Sequence, residues 1–224
     1  MSAEPHNSLT DIRVIGFDLD QTLYPKSPLV DEKIQEYLYR KIADHARVNL
    51  NEAERLFKGR YRRGAGMSGS ETLRDLGLSN VSGLVQEALE HADIASILSP
   101  DPETNRLLTN LRRRYEKIDL ITGSGMRETQ KKLAALGLGL ETFSHVITAD
   151  QATKSSGDSY RLWLSLYPHL MPQKFLYIGD RIHSDHEVPS SLGIRTALVY
   201  VATPDPTLTC LQCVSLKKLR EILL

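Results

Sequence analysis

Residues 12–17, IRVIGF, form a short apolar run rich in β-branched residues that stops at the polar segment Asp18-Leu19-Asp20-Gln21-Thr22. This is the pattern of a buried strand feeding a loop. From Lys26 to about Leu98 no strand-like run recurs. Val30, Ile34, Leu38 and Ile42 in VDEKIQEYLYRKIADHA fall at helical spacing. NEAERLFKGRYRR predicts a second helix with Asn51 as its cap. GAGMSGS, residues 64–70, predicts a loop or hinge, and SETLRDLG and SGLVQEALEHA two short helices. After Ser99 the character changes. Asp101 and Pro102 predict a helix start, with Leu107, Leu108 and Leu111 on its apolar face. Strands KIDLI, SHVITA, KFLYIGD and RTALVYV then alternate with helices RETQKKLAALG, SYRLWLSLY, EVPSSLG and SLKKLREILL.

That alternation predicts an α/β fold, a Rossmann-like parallel sheet with helices on both faces. Residues 1–25 and 99–224 would form this core, and residues 26–98 an inserted α-helical domain. Ligands of such sheets bind at the carboxyl ends of the strands. DLDQT, TGSG and GDRIHSD each follow a strand directly, so they are expected to meet along one edge.

Composition narrows the class of partner. Lysine plus arginine balances aspartate plus glutamate, 28 against 28, in a chain of 224 residues. Balanced charge offers no footprint for nucleic acid or an anionic membrane, so an anionic small molecule needs local positive charge or a metal. No apolar run is long enough to span a bilayer, and the polar start MSAEPHNSLTD lacks a signal core. The expectation is a cytoplasmic protein, monomer or homodimer. Cys210 and Cys213 are the only cysteines. Without further ligands or a thioredoxin-like context, their spacing predicts two unrelated thiols rather than a zinc or redox pair.

The chemistry concentrates in four places. Asp18 and Asp20, one residue apart at a strand end, repel each other, and a divalent cation offsets that repulsion. Mg2+ suits such oxygen ligands because it bridges carboxylate and phosphate. An acidic turn without catalysis is the plain alternative. Gly179 permits close backbone approach. Asp180 at its strand tip would face the first pair, and Asp185 either supports a metal or caps a helix. Thr122 and Gly123 offer a hydroxyl and an amide to phosphoryl oxygens. Lys154, on the loop after SHVITA, is placed to neutralise a carboxylate and a phosphoryl oxygen together.

Asp18 to Thr22, Thr122, Lys154 and the Asp180/Asp185 pair occur in the order of the four motifs of the haloacid dehalogenase superfamily, which the chain resembles. Residues 26–98 then match the helical cap that the superfamily inserts between its first and second motifs. Asp20 resembles the phosphatase and phosphomutase branch, because true dehalogenases lack it. FDLDQTLYP, the Tyr-Arg-Arg run and SPDPETNRLL resemble the pyrimidine 5′-nucleotidase branch, although Thr122-Gly123 and Lys154-Ser155 stand where that branch often has Thr-Asn and Lys-Pro.

The resemblance implies a Mg2+-dependent phosphomonoester hydrolase acting on a nucleoside monophosphate or similar small phosphorylated metabolite. Asp18 would be the nucleophile and form an aspartyl-phosphate. Asp20, protonated at the outset, would be acid and then base. Thr122, Gly123 and Lys154 would hold the phosphoryl group. Asp18, the backbone carbonyl of Asp20, and Asp180 would hold the metal. Thr22 would brace the loop, and Asp185 would support the metal or Lys154. Tyr61, Arg62, Arg63 and His45 are candidate leaving-group contacts, each equally at home on a solvated face or in a core. His183 and His186 flank Asp185 but lack a zinc ligand set. The competing readings are a phosphatase of a sugar phosphate or phosphoglycolate, a phosphomutase, and a non-catalytic binding protein with a retained fold.

Overall fold

The computed structural model describes residues 9–61 and 69–224. The chain divides into two compact units, Ser27–Ile97 and the remainder on either side of it.

The larger unit is built on a six-stranded parallel sheet of order β3-β2-β1-β4-β5-β6. The strands are β1 (Val14–Phe17), β2 (Lys117–Ile121), β3 (Val146–Ile147), β4 (Phe175–Gly179), β5 (Arg195–Val199) and β6 (Leu211–Cys213). Strand order runs outward from β1 in one direction and then resumes at β4 in the other. The β1/β4 boundary is therefore the switch point where such sheets open a crevice. β1 and β4 are buried along their whole length, as continuous apolar runs in central parallel strands require. Gly16 lies in β1 because a Cβ there would sit 2.7 Å from Trp163 and 2.8 Å from Ile121.

Trp163 and Tyr167, on or just after helix α7 (Asp158–Ser165), pack on Phe175 with Tyr160 and Tyr177 nearby. Asp119, a fully buried carboxylate in β2, accepts from Trp163 Nε1 at 2.8 Å, Tyr167 Oη at 2.6 Å and the His145 amide at 2.9 Å. A buried charge needs such a shell of donors.

The smaller unit is helical: α1 (Pro28–Ala46), α2 (Leu50–Arg60), α3 (Gly69–Asp75) and α4 (Val81–His91). Its core holds Leu38, Ile42, Phe57 and Leu73. Ser27 caps α1, with Pro28 in its first turn.

Four expectations need correction. Asn49, not Asn51, caps α2, its Oδ1 accepting from the Glu52 amide at 2.9 Å, because the helix begins at Leu50. Gly69 and Ser70 belong to α3 rather than to a loop, and 62–68 lie outside the described residues. Residues 183–187 form a π-helical turn ahead of the short helix α8 (Val188–Ser191). The segment around Cys213 is the edge strand β6, which the sequence pattern did not predict. Both cysteines are free, and burial raises both thiols above their ordinary range.

Candidate active site

The loop after β1 is built by three backbone devices. The Asp18 amide donates to the Ile178 carbonyl at 2.8 Å, so pairing with β4 continues into the loop. Leu19 is fully buried, and the amides of Thr22 and Leu23 both turn back to its carbonyl. Gln21 adopts φ 57°, the left-handed conformation that closes the turn. Asp18 and Asp20 are left 4% and 6% exposed.

Asp18 faces acids. Lys154 Nζ lies 2.9 Å from Asp18 Oδ1 and 2.5 Å from Asp185 Oδ1. It also sits 5.2 Å above the Tyr177 ring. Asp185 Oδ2 accepts from the amides of Asp180 at 3.1 Å and Arg181 at 2.9 Å. Asp185 thus lies inside the π-helical turn and anchors the loop, rather than capping a helix. A Cβ on residue 179 would collide with this carboxylate, which is why glycine stands there. Asp18, Asp180 and Asp185 each present a carboxylate oxygen within 4.8 Å of the others. Asp180 Oδ2 pairs with Lys26 at 2.8 Å, whereas its buried Oδ1 has no hydrogen-bond partner among the described residues.

Burial raises the Asp18 carboxyl above its ordinary range; Lys154 opposes this, and Asp185, Asp20 and Asp180 add to it. Burial likewise raises Asp180 against the pull of Lys26. Asp185 is lowered, because Lys154 and the Arg181 amide outweigh its burial. Three crowded oxygen donors, two with raised affinity for a proton and one with an orphaned oxygen, fit a hard divalent cation.

Asp20 faces donors. Its Oδ1 accepts from Lys132 Nζ and from Tyr24 Oη, each at 2.7 Å. Its Oδ2 accepts from Ser124 Oγ at 2.6 Å, and Lys132 also reaches Ser124 Oγ at 2.9 Å. Lys132 and Ser124 are fully buried. Burial raises the Asp20 carboxyl, but Lys132, Ser124 and Tyr24 together hold it below its ordinary range. These donors favour its carboxylate form.

The remaining candidates divide. Thr122 is fully buried at the tip of β2, its hydroxyl accepting from the Ser124 amide at 3.1 Å, with Gly123 beside it. Thr22 is buried too; its hydroxyl has no hydrogen-bond partner among the described residues, and backbone hydrogen bonds hold the loop. Within the helical unit, Tyr61 stacks on Phe57 at 5.2 Å. Arg62 and Arg63 lie outside the described residues. His183 pairs with Glu187 at 2.8 Å, and His186 Nδ1 meets Thr196 at 2.7 Å.

Lys132, Ser124 and Tyr24 escaped the sequence reading. Ser124 lies inside TGSG, where the sequence does not distinguish its hydroxyl from that of Thr122. Lys132 left a clearer trace. In helix α6 (Met126–Ala135) it shares the buried face with Thr129 and Leu133. A lysine on the apolar stripe of a helix implies a buried anion.

The family model of haloacid dehalogenase-like hydrolases matches residues 12–188. A curated relative, the glyceraldehyde 3-phosphate phosphatase of Methanopyrus kandleri, is 24% identical over 199 residues, 84% of each chain. The solved structure of an HAD phosphatase from Thermococcus onnurineus superposes with a TM-score of 0.62 at 22% identity, covering 95% of this chain and 98% of that one. A 2-haloacid dehalogenase from Pseudomonas syringae gives 0.55 at 19% identity, again covering 95% and 98%. With the match spanning β1 to β4, both carboxylate clusters and Lys154, the chain belongs to the haloacid dehalogenase-like hydrolases.

Proposed function

We propose that the protein is a Mg2+-dependent phosphomonoester hydrolase that works through an aspartyl-phosphate on Asp18. The observation that carries this reading is the meeting of Asp18, Asp180, Asp185 and Lys154 at the β1/β4 switch point. Mg2+ would be held by Asp18, Asp180 and the backbone carbonyl of Asp20, supplying charge neutralisation to carboxylates and phosphate.

The chain's own groups do the rest. An Asp18 oxygen attacks phosphorus in line, forming the acyl phosphate as the ester P–O bond breaks. Lys154 screens Asp18 from the incoming anion, and Asp185 holds Lys154 in place. Thr122 and the Gly123 amide take equatorial oxygens. Asp20 would take up a proton before transfer, pass it to the leaving oxygen, and then take one from the hydrolytic water. Lys132, Ser124 and Tyr24 position Asp20, and in the geometry described it is set for the water step. Asp20 also separates this chemistry from dehalogenation. Residues 26–98 would act as a cap that selects the leaving group.

The substrate is a small phosphorylated metabolite. The FDLDQTLYP and SPDPETNRLL segments favour a nucleoside monophosphate, whereas the name of the Methanopyrus relative favours a triose or sugar phosphate. Phosphate release from a panel of both, with and without Mg2+, decides between them. Turnover that survives Asp18→Asn overturns the nucleophile, and absence of turnover on every ester favours the binding protein.

A further inference from the structure

Lys26 is the last residue of the α/β unit before Ser27 caps α1. Its ammonium lies 2.8 Å from Asp180 Oδ2, yet its side chain is 40% exposed where that of Asp180 is 2% exposed. The other Asp180 oxygen is buried with no hydrogen-bond partner among the described residues. A permanent structural pair would satisfy both oxygens, as an arginine fork does. Here a flexible, strongly hydrated cation reaches in from solvent and covers only one.

The two lysines of the cluster differ. Lys154 is 8% exposed and held by two carboxylates. Lys26 has one carboxylate and an open path to water. Lys26 and Lys154 pair with the three carboxylates, and Arg181 acts on all three from a greater distance. Withdrawing Lys26 leaves the cluster one unit more negative, a change that an incoming divalent ion offsets.

We propose that Lys26 is a displaceable counter-ion, seated on Asp180 until a divalent cation binds and then released to solvent, so that cation affinity is set against it. The inference rests on the acidic cluster being a divalent-cation site. It goes beyond that reading by assigning a competitor to the site.

Calorimetric titration of Mg2+ into the full-length protein tests it. Lys26→Met is expected to bind Mg2+ at least about tenfold more tightly than wild type, since a like charge beside the site is removed. Lys26→Arg keeps the charge and is expected to stay within about threefold. Acetylation by acetic anhydride, read residue by residue by mass spectrometry, supplies a second measure. Labelling of Lys26 is expected to rise several-fold at saturating Mg2+, while Lys131 and Lys218, paired with glutamates on the surface, stay constant. Wild-type binding with unchanged affinity in Lys26→Met, or Lys26 labelling indifferent to Mg2+, overturns the Lys26 role and leaves the phosphohydrolase reading standing. No Mg2+ binding by either protein overturns the cation site and the Lys26 role together.

Discussion

Asp18 and Asp20 share one loop, flank one buried leucine and are almost equally hidden from water, yet their surroundings are opposite in sign. Around Asp18 stand Asp180 and Asp185, with Lys154 as counterweight. Around Asp20 stand Lys132, Ser124 and Tyr24, all donors. Proton affinity is pushed up at the first and down at the second. On the proposed reading, two chemically identical groups thereby acquire two different tasks, one crowded for cation and phosphate, the other held still for proton transfer. The difference is made by strand tips on one side and by the inward face of α6 on the other.

The strongest way to break this contrast is Asp18→Asn. Loss of turnover by roughly 10³-fold or more is expected in a phosphate-release assay. The same variant is expected to be more stable. The folded-state carboxyl is raised, so ionised Asp18 costs stability as pH rises through the ordinary carboxylate range and beyond, and the amide removes that cost. Calorimetry at neutral pH should show a higher Tm, about 2–4 °C for each kcal/mol gained. A lower Tm would mean that the Lys154 pairing outweighs the crowding.

Lys132→Met attacks the other side. Stranding a buried carboxylate costs about 3–5 kcal/mol, and turnover should fall by roughly 10²-fold because Asp20 loses its position. The pH dependence fixes the cause. The folded Asp20 carboxyl lies below its ordinary value, so its contribution is present above that value and lost as pH falls through the depressed one. In urea denaturation the gap between wild type and variant should therefore narrow from pH 7 to pH 3. An equal gap at both would assign the loss to packing.

Ser124→Ala removes one donor of three and is expected to cost about 1–2 kcal/mol and roughly tenfold in turnover. The smallest effect belongs to Thr22→Val. It replaces a buried hydroxyl without a partner by a methyl of similar volume, so stability should hold or rise by up to about 1 kcal/mol, with activity within about twofold. A marked fall in the same assays would show that the hydroxyl serves the loop after all.

The parts of this arrangement that could be read from sequence are those fixed by short-range pattern. Continuous apolar runs located β1 and β4, and the polar residue that ends each run located Asp18 and Asp180. Strand alternation gave the parallel sheet and hence the common edge. What escaped depends on long-range pairing. β6 is three residues long and partly exposed, and only its ladder with β5 makes it a strand. Lys132 lies 112 positions from Asp20, so nothing local announces the pair. The depressed Asp20 carboxyl has the same long-range origin, since Lys132 supplies the largest pull against its burial.

Trp163 carries a practical consequence. It is the single tryptophan of the chain, fully buried, its indole N–H tied to the Asp119 carboxylate and its ring against Phe175 and Tyr177. Intrinsic emission excited at the red edge therefore has one source, inside the α/β unit. The helical unit contributes to far-ultraviolet ellipticity but is silent in that signal. Recorded together during denaturation, the two spectra separate the melting of one unit from that of the other without any label.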